Sequence, residues 1–112
     1  MDARHAHVTI TRHLPHDVKA RQIVVSLDGS HLATLLYGES VTREIEPGYH
    51  WIRAHNTLVW KTREFEAKPG EHIRFITANK AGFGTYAMLG LLGVGPLYLD
   101  FDQLPPDAED RS

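Results

Sequence analysis

Cysteine is absent from this 112-residue chain. Its absence excludes disulfide bonds, thiolate nucleophiles and cysteine metal ligands, and it leaves the redox compartment undecided. An excess of basic residues is lacking as well, since 12 Lys and Arg stand against 14 Asp and Glu, for a formal net charge of −2. Proteins that bind nucleic acid usually carry a basic surface, so nucleic acid is not expected among the partners.

The N-terminus lacks the apolar core of a secretory signal. Its first ten residues, MDARHAHVTI, carry charges and histidines where a signal needs about 7–15 apolar residues. We therefore expect a cytoplasmic protein, unless a longer precursor was trimmed. The length suits one core, so we predict a single domain over residues 1–103, followed by a disordered polar tail over residues 104–112.

Turn-forming dipeptides recur at short intervals along the chain: Asp28-Gly29, Gly38-Glu39, Pro47-Gly48 and Pro69-Gly70. Between them lie short runs rich in β-branched and aromatic residues, which predicts an all-β fold, a small antiparallel β-sandwich of about seven to eight strands. The predicted strands are 7–12, 22–27, 31–37, 41–45, 49–55, 58–66, 72–78 and 97–101. Asp28-Gly29 suits the positive φ angles of a two-residue hairpin.

The order of strands and turns resembles that of PEGA-like and transthyretin-like bacterial β-sandwich modules. The resemblance covers residues 22–78 and rests on Asp28-Gly29, Gly38-Glu39, the run Pro47-Gly48-Tyr49-His50 and Pro69-Gly70-Glu71. It implies a non-catalytic module that is extracytoplasmic or attached to a scaffold.

The longest uncharged stretch is Ala81–Leu99, with the sequence AGFGTYAMLGLLGVGPLYL. It nearly reaches the length of a membrane-spanning helix, but its five glycines and Pro96 disfavour one. Two interpretations remain open: residues 86–92 form a buried strand or short helix, or they stay exposed until a partner covers them. The interaction surface would then comprise Tyr86, Met88, Leu89, Leu91, Leu92 and Val94.

Residues that could carry chemistry do not form a recognisable set. Eight histidines are present, but only the pairs His5/His7 and His13/His16 have short spacing, and a zinc site needs three or four ligands. The alternating Glu44 and Glu46 indicate the solvent-facing side of a strand, and no serine lies in a nucleophile motif. We therefore predict no enzyme activity, no metal site and no cofactor, and we identify no small-molecule substrate.

The aromatic residues Tyr49, Trp51 and Trp60 fall on adjacent predicted strands. Trp51 and Trp60 could approach each other across the sheet, with Arg53 or Arg63 stacked on them, as a platform for sugars, peptides or lipid. The alternative is that one or both tryptophans fill the sandwich core, which is the commoner place of tryptophan in a small β domain and the interpretation that we favour from the sequence.

Taken together, these features predict a non-enzymatic binding or assembly module that self-associates or docks a protein partner through the apolar segment 81–99. We therefore expect a homo-oligomer or a protein partner. One alternative is a peripheral membrane module that inserts residues 88–94 into lipid. The other is a histidine metal-binding domain.

Overall fold

Eight β-strands and no helix make up the part of the chain that the structure describes, residues 5–19, 21–56, 59–80 and 98–105. The all-β prediction is thereby confirmed, and the strand ends lie close to the predicted ones. The computed structural model has β1 (Ala6–Thr11), β2 (Ile23–Leu27), β3 (Ser30–Leu35), β4 (Ser40–Ile45), β5 (Gly48–His55), β6 (Trp60–Ala67), β7 (His72–Lys80) and β8 (Tyr98–Gln103).

The strands form two four-stranded sheets. The first sheet has the order β4-β1-β7-β8, and the second sheet has the order β3-β2-β5-β6. Pairing is antiparallel except between β1 and β7, which run parallel with His7 opposite His72 and Thr11 opposite Ile76. Since parallel neighbours require a long connection between them, the whole second sheet is inserted between these two strands along the chain.

The hairpin at Asp28-Gly29 has the backbone that its sequence predicts. Asp28 has φ of 51° and Gly29 has φ of 88°, the positive values that a two-residue turn between β2 and β3 needs. A Cβ atom on Gly29 would lie 3.5 Å from the Trp51 ring. This turn therefore touches β5 as well as joining its own two strands.

Side chains from all eight strands fill the space between the sheets. Phe75 lies at the centre, with its ring 5.2 Å from that of Phe101 and 5.5 Å from that of Phe65, measured between centroids. Inward and outward residues alternate along β5, β6 and β8, as the pleat of a strand requires, whereas β3 buries Leu32 and Leu35, three positions apart. The core cluster comprises Ala6, Val8, Ile10, Ile23, Val25, Leu32, Leu35, Ile45, Ile52, Ala54, Phe65, Ala67, Ile73, Phe75, Leu99 and Phe101.

A charged pair is also fully buried, at one end of the sandwich. Arg12 follows β1, and its Nε and Nη2 atoms donate to the two carboxylate oxygens of Asp17 at 2.8 and 3.1 Å. Its Nη1 donates to the Leu35 carbonyl at 2.7 Å. Both side chains of the ion pair are 0% exposed. The link between β1 and β2 is thus held by a bidentate ion pair, which was not predicted from the sequence.

The ion pair extends into a network of buried asparagines. The Asp17 carboxylate also accepts a hydrogen bond from the Asn79 backbone N–H at 3.3 Å. The Asn79 side chain accepts from Asn56 Nδ2 at 2.9 Å and donates to the Arg21 carbonyl at 3.0 Å. Asn56 in turn accepts from the Val59 N–H at 3.0 Å. One network therefore joins the β1–β2 link, the end of β7 and the β5–β6 connection.

The final strand matches its prediction. Leu99 and Phe101 are buried while Tyr98 is 37% exposed, so the residues of β8 alternate between the core and the surface. Lys80 and Tyr98 are register partners at the ends of β7 and β8. The remainder of the uncharged segment, residues 81–97, lies outside the described residues.

The predicted tail starts at Leu104, whose N–H donates to the Arg74 carbonyl at 2.8 Å. Residues 106–112 lie outside the described part of the chain.

Candidate binding face on the second sheet

The outer side of β5 and β6 carries the aromatic residues singled out in the sequence. Alternation along β5 buries Ile52 and Ala54 against the first sheet and turns Tyr49, Trp51 and Arg53 outward. We call the outward residues Tyr49, Trp51, Arg53, Trp60, Glu64 and Glu66 the aromatic face.

The β5–β6 register decides which side chains of this face are neighbours. Tyr49 lies opposite Glu66, and Trp51 lies opposite Glu64. Directly opposite residues of antiparallel strands share a face with their Cβ atoms about 4.5–5.5 Å apart. Each of the two aromatic side chains therefore has a carboxylate beside it. Glu64 and Glu66 were not predicted as site residues, although their alternation with the buried Phe65 is a signal that they face outward.

The expectation that one or both tryptophans fill the core is wrong. Trp60 is 64% exposed and Tyr49 is 84% exposed, while Trp51 is half-buried on the same outer side. The physical reason is that Ile52 and Phe65 occupy the inward positions of β5 and β6, and strand alternation then places both tryptophans outward.

The other interpretation, in which Trp51 and Trp60 approach each other across the sheet, is also wrong. Trp60 lies opposite His55, four residues beyond Trp51 along β5. At a rise of about 3.3 Å per residue, the two tryptophan positions are about 13 Å apart. Tyr49 and Trp51 form the close pair of aromatics, and Trp60 lies at the far end of the face.

The stacking predicted for Arg53 is observed. Its guanidinium carbon lies 5.3 Å from the centre of the Trp51 ring, and its Nε donates to Thr62 Oγ1 at 2.9 Å. The other candidate, Arg63, instead forms an ion pair with Asp102 of β8 at 3.5 Å.

A depression of about 260 Å³ opens on the aromatic face, lined by Tyr49, His50, Trp51 and Glu64. Asp28 fixes the backbone beneath the depression, because one of its carboxylate oxygens accepts a hydrogen bond from the Trp51 backbone N–H at 2.9 Å. The other oxygen contacts His50 Nδ1 at 2.6 Å. The depression is therefore built on a hydrogen-bonded part of the sheet.

The His50 ring stacks on the buried Phe65, on the side of β5 opposite to Tyr49 and Trp51, and it is held there as a cation. Its Nδ1 faces the Asp28 carboxylate and its Nε2 faces the Glu46 carbonyl at 2.6 Å. Both partners only accept hydrogen bonds, so both ring nitrogens must carry a proton. Burial lowers the pKa of His50, but the hydrogen bonds to Asp28 and Glu46 and the Asp28 charge outweigh it, and the pKa is raised.

Two of the paired histidines, His5 and His16, each contact carboxylates. His5 precedes β1, and its Nδ1 and Nε2 atoms lie 3.2 and 3.1 Å from carboxylate oxygens of Glu44 and Glu46. His16 contacts Asp100 at 2.8 Å, and Lys80 contacts the same carboxylate at 2.8 Å. Burial raises the pKa of Asp100, but hydrogen bonds to Lys80 and His16 and their charges lower it overall.

His72 on β7 lies beside His7, with 6.1 Å between their ring centroids. Its Nδ1 accepts a hydrogen bond from Arg74 Nη2 at 3.0 Å. Its Nε2 therefore carries the proton and donates a hydrogen bond to Thr9 Oγ1 at 2.7 Å. Burial, followed by the nearby charges of Arg74 and His7, lowers the pKa of His72. Among the described residues, no group of three or more histidines and carboxylates could hold a metal ion.

The predicted interaction surface falls outside the described part of the chain. This applies to Tyr86, Met88, Leu89, Leu91, Leu92 and Val94. In the residues that the structure does describe, no helix is long and apolar enough to cross a membrane.

Comparison with known proteins found no matching family model, no matching curated relative and no matching solved structure.

Proposed function

We propose that this protein is a non-enzymatic binding or assembly module that self-associates or docks a protein partner through the apolar segment 81–99. The observation that carries the proposal is the pairing of Lys80 with Tyr98. Because these residues are register partners, the uncharged run leaves the first sheet and returns to it at the same end of the β7–β8 ladder. A continuous apolar sequence is thereby attached at one place on a folded sandwich.

The composition of the core supports this role. All eight strands already contribute apolar side chains to the cluster between the sheets. Among the described residues of the segment 81–99, Leu99 belongs to this cluster, and both sheets also have core side chains from strands outside the segment. Apolar surface that a fold does not cover by itself marks interaction sites once it exceeds a few hundred Å².

The two-sheet all-β architecture is also the one implied by the resemblance of residues 22–78 to PEGA-like and transthyretin-like modules. That resemblance favours a module without chemistry of its own. We retain the cytoplasm as the proposed compartment.

Sedimentation of the full chain over a range of concentrations tests the assembly role. We expect the wild type to form a dimer or larger oligomer. Leu91→Asp should be monomeric with an unchanged melting temperature, because association would bury the new carboxylate between subunits without an ionic partner. Leu36→Asp is the matched control, since Leu36 is 55% exposed on the β3–β4 turn, and it should leave the oligomer intact. A wild-type chain that stays monomeric at millimolar concentration, with the amides of 86–94 protected from hydrogen exchange, would refute self-association.

Two further measurements separate the alternatives. Co-sedimentation with liposomes, lost in Leu91→Asp, would favour a peripheral membrane module that inserts residues 88–94. Metal found by elemental analysis, with a melting temperature lowered by chelator, would favour a histidine metal-binding domain. An assembly module should remain in the supernatant and melt unchanged.

A further inference from the structure

We propose that the depression on the aromatic face binds an organic cation, the ammonium group of a lysine side chain on a partner protein. This site lies on the second sheet, whereas segment 81–99 is attached to the first sheet. The two proposals can therefore fail independently.

The aromatic lining is the first argument. Tyr49 is 84% exposed, and with Trp51 it lines the depression. The face of an aromatic ring carries partial negative charge and attracts ammonium and guanidinium groups. The Arg53 guanidinium carbon lies 5.3 Å from the centre of the Trp51 ring. The folded protein therefore already holds one cation beside this ring.

The balance of charge is the second argument. Glu64 lines the depression and Glu66 lies opposite Tyr49, and neither carboxylate takes part in any of the ion pairs found within residues 5–19, 21–56, 59–80 and 98–105. Of the nearby cations, His50 is paired with Asp28, while Arg53, whose hydrogen-bond partner Thr62 is neutral, keeps its charge and offsets one of the two carboxylates. The charge left without a counterion at the depression is negative, and it complements a cation.

Size and rigidity favour a single side chain as the occupant. The volume of about 260 Å³ is below the roughly 300–1,000 Å³ typical of pockets for drug-sized ligands. β5 is an interior strand of its sheet, and Asp28 fixes the backbone at Trp51. A site of this size on a rigid strand suits an alkylammonium group that a partner protein presents.

The test is an NMR titration of the ¹⁵N-labelled full chain with the peptide acetyl-Ala-Lys-Ala-amide. The neutral control is the same peptide with norleucine in place of lysine. We expect the lysine peptide to shift the amides of residues 49–51 and 64–66, with millimolar affinity, and the norleucine peptide to leave them in place. Tyr49→Ala should weaken lysine binding about two- to fivefold, as expected for an exposed cation–π contact.

A matched pair of charge variants completes the experiment. Glu64→Gln should weaken binding up to about fivefold, as expected for an exposed ion pair, while Glu44→Gln on the first sheet makes the same change in net charge and should have no effect. Three results would overturn the proposal: no shifts at 20 mM peptide, equal shifts with the norleucine peptide, or equal weakening by the two glutamate variants. A neutral oligosaccharide that shifts these amides when the lysine peptide does not would assign the face to carbohydrate instead.

Discussion

Replacing Asp17 by asparagine should destabilise the fold by about 3–5 kcal/mol, because the substitution leaves the Arg12 guanidinium buried without its counterion. Arg12 and Asp17 have side chains that are 0% exposed, with Nε and Oδ2 only 2.8 Å apart. Asparagine keeps the shape of the side chain but turns one accepting oxygen into a donor, which then faces a guanidinium that can only donate.

The remaining bonds of Arg12 do not compensate for that loss. Nη1 still donates to the Leu35 carbonyl at 2.7 Å, but carbonyl groups carry no net charge to balance the guanidinium. Domains of this size are stable by roughly 5–15 kcal/mol, so the loss is a large part of the total. At about 4 °C per kcal/mol for a chain of this length, the melting temperature should fall by about 12–20 °C.

Urea unfolding followed by tryptophan fluorescence measures the effect as a lower midpoint with an unchanged slope. Asp102→Asn is the matched control, since Asp102 forms the exposed ion pair with Arg63 and its side chain is 66% exposed. That variant should lose no more than about 1 kcal/mol. If Asp17→Asn were no more destabilising than Asp102→Asn, the reasoning from burial would be refuted.

Two histidines should give the stability a dependence on pH of opposite sign. Folding raises the pKa of His50 above 6.5. Its contribution to the free energy of unfolding is therefore complete below pH 6.5 and is lost as the pH rises through the folded pKa. His50→Gln should flatten the fall of the urea midpoint over that range. Folding lowers the pKa of His72. Its contribution to the free energy of unfolding is therefore complete above pH 6.5 and is lost as the pH falls through the folded pKa, so His72→Gln should flatten the fall of the urea midpoint in acid. Slopes that stay unchanged in both histidine variants would contradict these assignments. In the core, Phe75→Ala should lower the free energy of unfolding by about 3–5 kcal/mol, because Phe75 is 1% exposed. The control Tyr49→Ala, at an exposed position, should change it by less than about 0.5 kcal/mol. Equal effects of the two variants in calorimetry would show that Phe75 is not central to the packing.

Much of the candidate site could be anticipated from alternation along single strands. The pattern of β5 separates His50, Ile52 and Ala54 from Tyr49, Trp51 and Arg53, and the structure keeps these two sets on opposite faces. What alternation could not decide is which set lies inside, because both contain large apolar side chains. Phe65 of the neighbouring strand lies opposite His50 and is buried in the same core cluster as Ile52, and only this pairing across strands shows that the tryptophans face outward.

The sequence by itself determined the positions of the eight strands and the hairpin at Asp28-Gly29, because these depend on turn residues and on period-two alternation within a few neighbouring positions. The tertiary structure alone decided the parallel pairing of β1 with β7 and the contact between Arg12 and Asp17 inside the sandwich. It also placed Glu64 beside Trp51. Strand pairing, burial of charge and cross-strand neighbours depend on residues far apart in the chain, and no local pattern records which of the distant strands will meet.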